Sequence, residues 1–136
     1  MRPEENKNII IITAPSGCGK TTIVCRLLRE HRDQVEFSIS TTTREPRRDE
    51  KEGVHYYYIG IDEFERRKEN GEFAEWAKVH GHYYGTLKNE IERILKSGKK
   101  CLLDIDVQGG LKIMELYKGC KSIFIFFNST SSNCKI

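Results

Sequence analysis

Ala14, Pro15, Ser16, Gly17, Cys18, Gly19, Lys20 and Thr21 bring two glycines, a lysine and a hydroxyl together in one short run suited to holding phosphate. Gly17 and Gly19 let backbone N–H groups curve around phosphate oxygens. Lys20 supplies a point charge to a phosphoryl group in transfer, and the Thr21 hydroxyl can ligate magnesium. This chemistry needs a strand before the loop and a helix after it, so that the N–H groups of a helix N-terminus face the anion. The flanks comply: Asn8–Thr13 (NIIIIT) reads as a strand buried on both faces, and in Lys20–His31 the residues Ile23, Val24, Leu27 and Leu28 share one helical face. Ala14 stands where the general motif has glycine. If its backbone needs a positive φ the methyl adds roughly 1 kcal/mol of strain, and otherwise the change is harmless. Thr22 either reaches a phosphate or serves as a local cap. Cys18 is read as a small residue that fits there, with no resolving cysteine nearby.

Further along, Arg44, Arg47 and Arg48 cluster in one short loop. Planar guanidinium groups bind a phosphate dianion through forked hydrogen bonds, so the cluster suits a small anionic ligand. Ser40 and the Tyr56 hydroxyl are suitable additional donors, whereas Arg48 is read as solvated. Asp104 and Asp106 close an apolar run (KCLLDID, 100–106), at the edge where ligands of parallel sheets collect. Their spacing predicts side chains on one face of that strand, where two carboxylates call for a cation.

The elements that must carry these groups are those of a doubly wound α/β sheet. Strands are expected at Glu36–Ser40, Lys100–Asp106 and Ser122–Phe127, with helices at Leu87–Ser97, stopped by Gly98, and at about 108–117. Between 41 and 86 the texture changes. A polar loop, a strand at His55–Ile59, a helix at Asp62–Asn70 capped by Asp62 and a strand at Phe73–Val79 read as a small insertion. The expected division is a core of 8–40 and 87–127, an insertion of 41–86 and a polar tail of 128–136 that lacks the apolar content to fold.

Bulk composition excludes several classes. The chain has 136 residues, 38% hydrophobic and 32% charged, with 23 basic against 20 acidic side chains and a net charge of +3. That charge is too small for a nucleic-acid-binding surface. No stretch reaches the apolar length of a bilayer span, and the start (MRPEENKN) lacks the apolar core of a signal peptide. Five cysteines, Cys18, Cys25, Cys101, Cys120 and Cys134, form no CxxC pair, which points to free thiols and a cytoplasmic setting. His80 and His82 have no further ligands at metal-binding spacing. No protein partner is indicated.

Three more segments settle the family likeness. SISTTTREPRRDEKEGVHYYYI (38–59), EFAEWAKVHGHYYGT (72–86) and LLDIDVQG (102–109) follow the phosphate loop in order, and together the four resemble guanylate kinases up to about Phe127. The resemblance implies a P-loop NTPase-type fold with a small GMP-binding insertion, and transfer of the ATP γ-phosphoryl group to GMP with magnesium. It implies that 14–22 bind ATP, that Ser40, Arg44, Arg47 and Tyr56 bind GMP, and that Tyr84 lines the same pocket against the phosphate. Glu75 is placed on guanine, whose ring N–H and exocyclic amine a carboxylate accepts together, and Thr86 donates to the guanine carbonyl. Asp104 takes the position that orients magnesium through water, with Lys20 and Arg44 beside it in catalysis, and Asp106 is carried over as an acceptor-nucleotide contact. No general base is needed, because the acceptor phosphate has a second pKa near 6.

Family members continue past SIFIFF into an arginine-bearing lid and a last strand and helix. The resemblance therefore implies a C-terminally shortened chain that lacks the lid its relatives use in phosphoryl transfer, with loss of activity and exposed apolar sheet surface as the expected consequences. Three other readings stay open beside the guanylate kinase: a catalytically dead guanylate-kinase-like binding module, a P-loop kinase acting on another monophosphate or a small phosphorylated metabolite, and an inert fragment. The intact Gly17, Gly19, Lys20 and Thr21 argue against the binding module.

Overall fold

The computed structural model describes residues 5–13, 20–124, 126–127 and 134–135. After a 3-10 turn at Glu5–Asn8, the elements run β1 (Ile9–Thr13), α1 (Lys20–Glu30), β2 (Val35–Phe37), β3 (Thr41–Thr42) and β4 (Tyr57–Tyr58). Then come α2 (Ile61–Glu69), β5 (Phe73–Val79), β6 (His82–Leu87), α3 (Lys88–Lys96), β7 (Lys100–Asp104), α4 (Val107–Leu116), β8 (Lys121–Phe124), β9 (Phe126–Phe127) and β10 (Cys134–Lys135). They divide into two compact units, one of residues 1–37 and 94–136, the other Ser38–Arg93.

The first unit is built on a parallel sheet in the order β2-β7-β1-β8. β-branched residues dominate β1 because both its faces are covered: Ile9, Ile11 and Ile12 are buried, as are Leu102 and Leu103 of β7. Ile12, Val24, Val35 and Leu102 form a core joined by Ile23, Leu27 and Leu28, the apolar face of α1. On α4, Gly110 comes so close to β1 that an added Cβ would lie 3.4 Å from Thr13 Oγ1. The carboxyl ends of central β1 and of β7 lie side by side, because Ile12 pairs with Asp104.

Several expected boundaries shift. The strand expected at Glu36–Ser40 is Val35–Phe37, since its pairing with β7 ends at Phe37 and Thr41 already pairs with β4 and β6. The strand expected at 100–106 stops at Asp104, and Asp106 instead caps α4, its Oδ1 accepting from Gly109 N at 2.7 Å. The two carboxylates therefore do not share a strand face. The strand expected at 122–127 is interrupted: β8 pairs with β1 only as far as Phe124, opposite Thr13. Phe126–Phe127 then pairs antiparallel with Cys134–Lys135, so part of the tail that was expected to be unfolded is paired.

In the second unit a sheet of order β4-β3-β6-β5 carries α2. Phe64 of α2 is fully buried and stacks on Phe73 at 4.3 Å and Tyr83 at 5.1 Å. Asp62 is not the cap of α2; Gly60 is, and Asp62 lies in the first turn, where a carboxylate faces the positive helix end. The β5–β6 hairpin was not foreseen. His80 (φ 51) and Gly81 (φ 82) form its two-residue turn, the left-handed pair that suits the twist of the strands. A bulge between Phe73 and Glu75 shifts the register so that Glu75 faces Thr86. Opposite it Gly85 is obligatory, because a Cβ there would sit 2.7 Å from Phe73 Cδ1 and 3.0 Å from the Glu75 carbonyl.

Candidate active site

Residues Ala14, Pro15, Ser16, Gly17, Cys18 and Gly19, expected to wrap phosphate, lie outside the described residues. Lys20 and Thr21 open α1, and Thr22 follows on an exposed part of that helix. Asp104 ends β7, half-buried, while Asp106 is exposed at the start of α4. Thr13 Oγ1 donates to the Ile105 carbonyl at 3.1 Å and ties β1 to the turn between these two aspartates. Among the described residues no group of three His, Cys, Asp or Glu side chains is arranged to hold a metal.

The second unit gathers the other expected residues into two groups. The first centres on Arg44. Strand β3 ends in Thr42, whose hydroxyl donates to the Tyr83 carbonyl at 2.8 Å and accepts from Arg44 N at 3.1 Å. The Arg44 backbone is thereby fixed to β6. Its guanidinium lies 5.3 Å from the centre of the Tyr56 ring, and its Nε–H donates to the Tyr84 hydroxyl at 3.2 Å. Tyr56 and Tyr84 meet edge to face at 5.9 Å. Ser40 lends its carbonyl to Tyr57 N at 2.9 Å, and the exposed Arg47 enters through its backbone N–H.

A residue that sequence reasoning passed over completes this group. Glu50 takes Arg44 Nη1 on one oxygen at 2.9 Å and Nη2 on the other at 3.0 Å, and its first oxygen also accepts from Arg47 N at 2.9 Å. The fork holds the Glu50 carboxyl near a pKa of about 2, with the Arg47 N–H as the next cause. The same contact raises the Arg44 guanidinium further above its ordinary range. In the sequence the only cue was an acid within the same short loop as the arginines.

The second group is the cross-strand pair of the hairpin. Thr86 Oγ1 donates to Glu75 Oε1 at 2.8 Å, with Glu75 8% exposed and Thr86 wholly buried. A carboxylate this shielded carries a large desolvation cost without hydrogen-bond donors around it. Glu90, also unforeseen, is a buried structural anchor: it accepts from Ile39 N at 2.9 Å, the Tyr57 hydroxyl at 3.0 Å, and the Arg93 guanidinium at 3.0 and 3.1 Å. It fixes the chain next to Ser40. Burial raises the Tyr57 phenol above its usual pKa, and the Glu90 hydrogen bond adds to that.

Arranged this way, Arg44 with Tyr56 and Tyr84 suits an anion, and Glu75 with Thr86 suits a planar group presenting adjacent donors beside an acceptor. No helix among the described residues is long and apolar enough to cross a membrane.

Comparison with known proteins bears on the same segments. The guanylate kinase family model matches residues 6–135. A guanylate kinase of Fusobacterium nucleatum is 50% identical over 116 residues, covering 85% of this chain and 62% of that protein. One from Helicobacter pylori is 46% identical over 118 residues, covering 87% and 57% respectively. The crystal structure of guanylate kinase from Anaplasma phagocytophilum matches with a TM-score of 0.68 at 37% identity, over 85% of this chain and 57% of that one. The chain thus spans between 57% and 62% of the length of these relatives.

Proposed function

The chain belongs to the guanylate kinase family, and from that membership we propose that it binds GMP and serves transfer of the ATP γ-phosphoryl group to it, giving ADP and GDP. The observation that carries the guanine assignment is the buried Glu75–Thr86 pair at 2.8 Å. Glu75 accepts the ring N–H and exocyclic amine of guanine, and Thr86 turns its hydroxyl toward the guanine carbonyl. Adenine offers an acceptor where guanine has the ring N–H, and it would leave a desolvated carboxylate unpaired.

The GMP phosphate is assigned to Arg44, Arg47, Tyr56, Tyr84 and Ser40, within an acceptor insertion of 41–86 and the residues leading into it. Residues 14–22 are assigned to the ATP phosphates, Lys20 to the γ-phosphoryl group and Asp106 to the acceptor nucleotide. Magnesium, when carried in on ATP, neutralises charge on the phosphates. The half-buried Asp104 at the end of β7 suits that hard cation, which keeps most of its waters and needs only one or two protein oxygens. Thr21 is its other proposed ligand. With the acceptor already ionised at neutral pH, the protein's part is alignment and charge stabilisation rather than proton removal.

Calorimetry with GMP and AMP, run beside an ADP-release assay with ATP and magnesium, tests this reading. GMP-selective binding is expected, and ADP release that depends on GMP supports the transfer. Equal affinity for GMP and AMP would overturn the guanine assignment. GMP-selective binding without ADP release would overturn the catalytic half for this chain alone.

A further inference from the structure

An arginine presents five N–H groups along two usable edges: the end-on fork of Nη1 and Nη2, and the side-on edge of Nε and Nη2. In Arg44 the end-on fork is filled by the two oxygens of Glu50, at 2.9 and 3.0 Å. The other Nη1 hydrogen goes to the Glu45 carbonyl at 3.0 Å. That leaves the side-on edge, where Nε–H meets the Tyr84 hydroxyl at 3.2 Å and, among the described residues, one Nη2–H has no acceptor. An oxygen already sits where an anion's oxygen would go.

We propose that Glu50 is a positioning residue for the acceptor phosphate, locking Arg44 by its end-on fork so that the Nε–Nη2 edge, beside the Tyr84 hydroxyl, receives the phosphate dianion. The inference rests on the GMP reading above and deepens it. A carboxylate next to a phosphate site could instead be a competitor that the ligand must expel. The other bond of Glu50 speaks against that role, because the same oxygen accepts from Arg47 N at 2.9 Å and so closes the loop that presents both arginines. Expelling Glu50 would undo the loop as well as the fork. The pair is also shielded, with side chains 12% and 17% exposed, so Arg44 is ordered before the ligand arrives.

The test compares GMP with guanosine, which carries the base and lacks the phosphate, on the whole chain by calorimetry or NMR titration. Glu50→Gln should lower GMP affinity about tenfold, the scale of one charge-assisted hydrogen bond, and leave guanosine affinity within about twofold. Loss of both ligands to the same degree would mean that Glu50 merely supports the fold. Unchanged or tighter GMP binding would mean that it competes with phosphate. Either result overturns the proposal. Should Glu50→Gln not fold, Glu50→Asp carries the same comparison, since it keeps the charge but withdraws the carboxylate by one methylene. A wild-type chain that binds neither ligand overturns the GMP reading along with this one; wild-type GMP binding with no loss in the variant overturns this one alone.

Discussion

Replacing Glu75 with glutamine exchanges one carboxylate oxygen for an amide nitrogen and changes little volume. Glu75 Oε1 accepts from Thr86 Oγ1 at 2.8 Å in a buried setting, and a glutamine can keep that bond by placing its amide oxygen there. Its NH2 then replaces Oε2 with a donor, opposed to a guanine donor in the proposed complex. One charge-assisted hydrogen bond is lost, about 1.5–3 kcal/mol, and a buried donor is left unsatisfied, about 1–3 kcal/mol. The sum of about 2.5–6 kcal/mol corresponds to a loss of GMP affinity of roughly 60- to 20,000-fold. AMP should bind no worse, because the new NH2 can donate to the adenine ring nitrogen. Calorimetry of both nucleotides on both proteins gives the comparison, with thermal melts to show that the variant is folded. A folded Glu75→Gln protein that binds GMP within about threefold of the parent would refute the reasoning, since the pair could not then be reading the base.

Thr86→Val keeps shape and removes the hydroxyl that donates to Glu75; chemical denaturation should show a stability loss of about 1–3 kcal/mol. Gly85→Ala places a methyl within 2.7 Å of Phe73 Cδ1, and the strand must shift, at about 1–3 kcal/mol in the same assay. The Glu50 carboxyl is lowered from 4.5 to about 2 in the folded chain, so its contribution to stability is complete above the unfolded value and fades as pH falls from there toward 2. Melting temperatures of wild type and Glu50→Gln should therefore differ at pH 6 and converge only as pH falls through about 2. A gap that widens in acid would show the sign to be wrong.

Much of this could be read without coordinates. Ile9–Thr13 and Lys100–Asp104 were legible because a strand covered on both faces is a continuous apolar run, and α1 because its apolar residues recur at helical spacing. Phe73–Val79 was placed to the residue. β6 was not, since HYYGTL carries no clean alternation and the hairpin turn is His-Gly, in which histidine takes the left-handed conformation that asparagine or aspartate usually adopts. The two-residue β3 is too short for any period to register, while β4 lies inside the strand expected at His55–Ile59, which is trimmed to Tyr57–Tyr58. Glu50 and Glu90 were missed for a different reason: their roles lie in partners, and an acid in a charged sequence does not announce which base it will meet. Asp106 was misplaced because alternation predicts a face only while the strand lasts.

The hairpin has one more consequence. Tyr84, Gly85 and Thr86 meet Ala77, Trp76 and Glu75 through a register set by the bulge after Phe73, so in the proposed GMP site the discrimination between bases would rest on alignment as much as on residue type. A substitution at either strand alters one contact. Deleting or inserting a single residue between the bulge and the turn would slide every pair by one step and turn Glu75 away from Thr86. Relatives of this chain should therefore tolerate varied letters along β5 and β6 while keeping the spacing between Phe73 and His80 constant, and length variation should collect in the loops on either side.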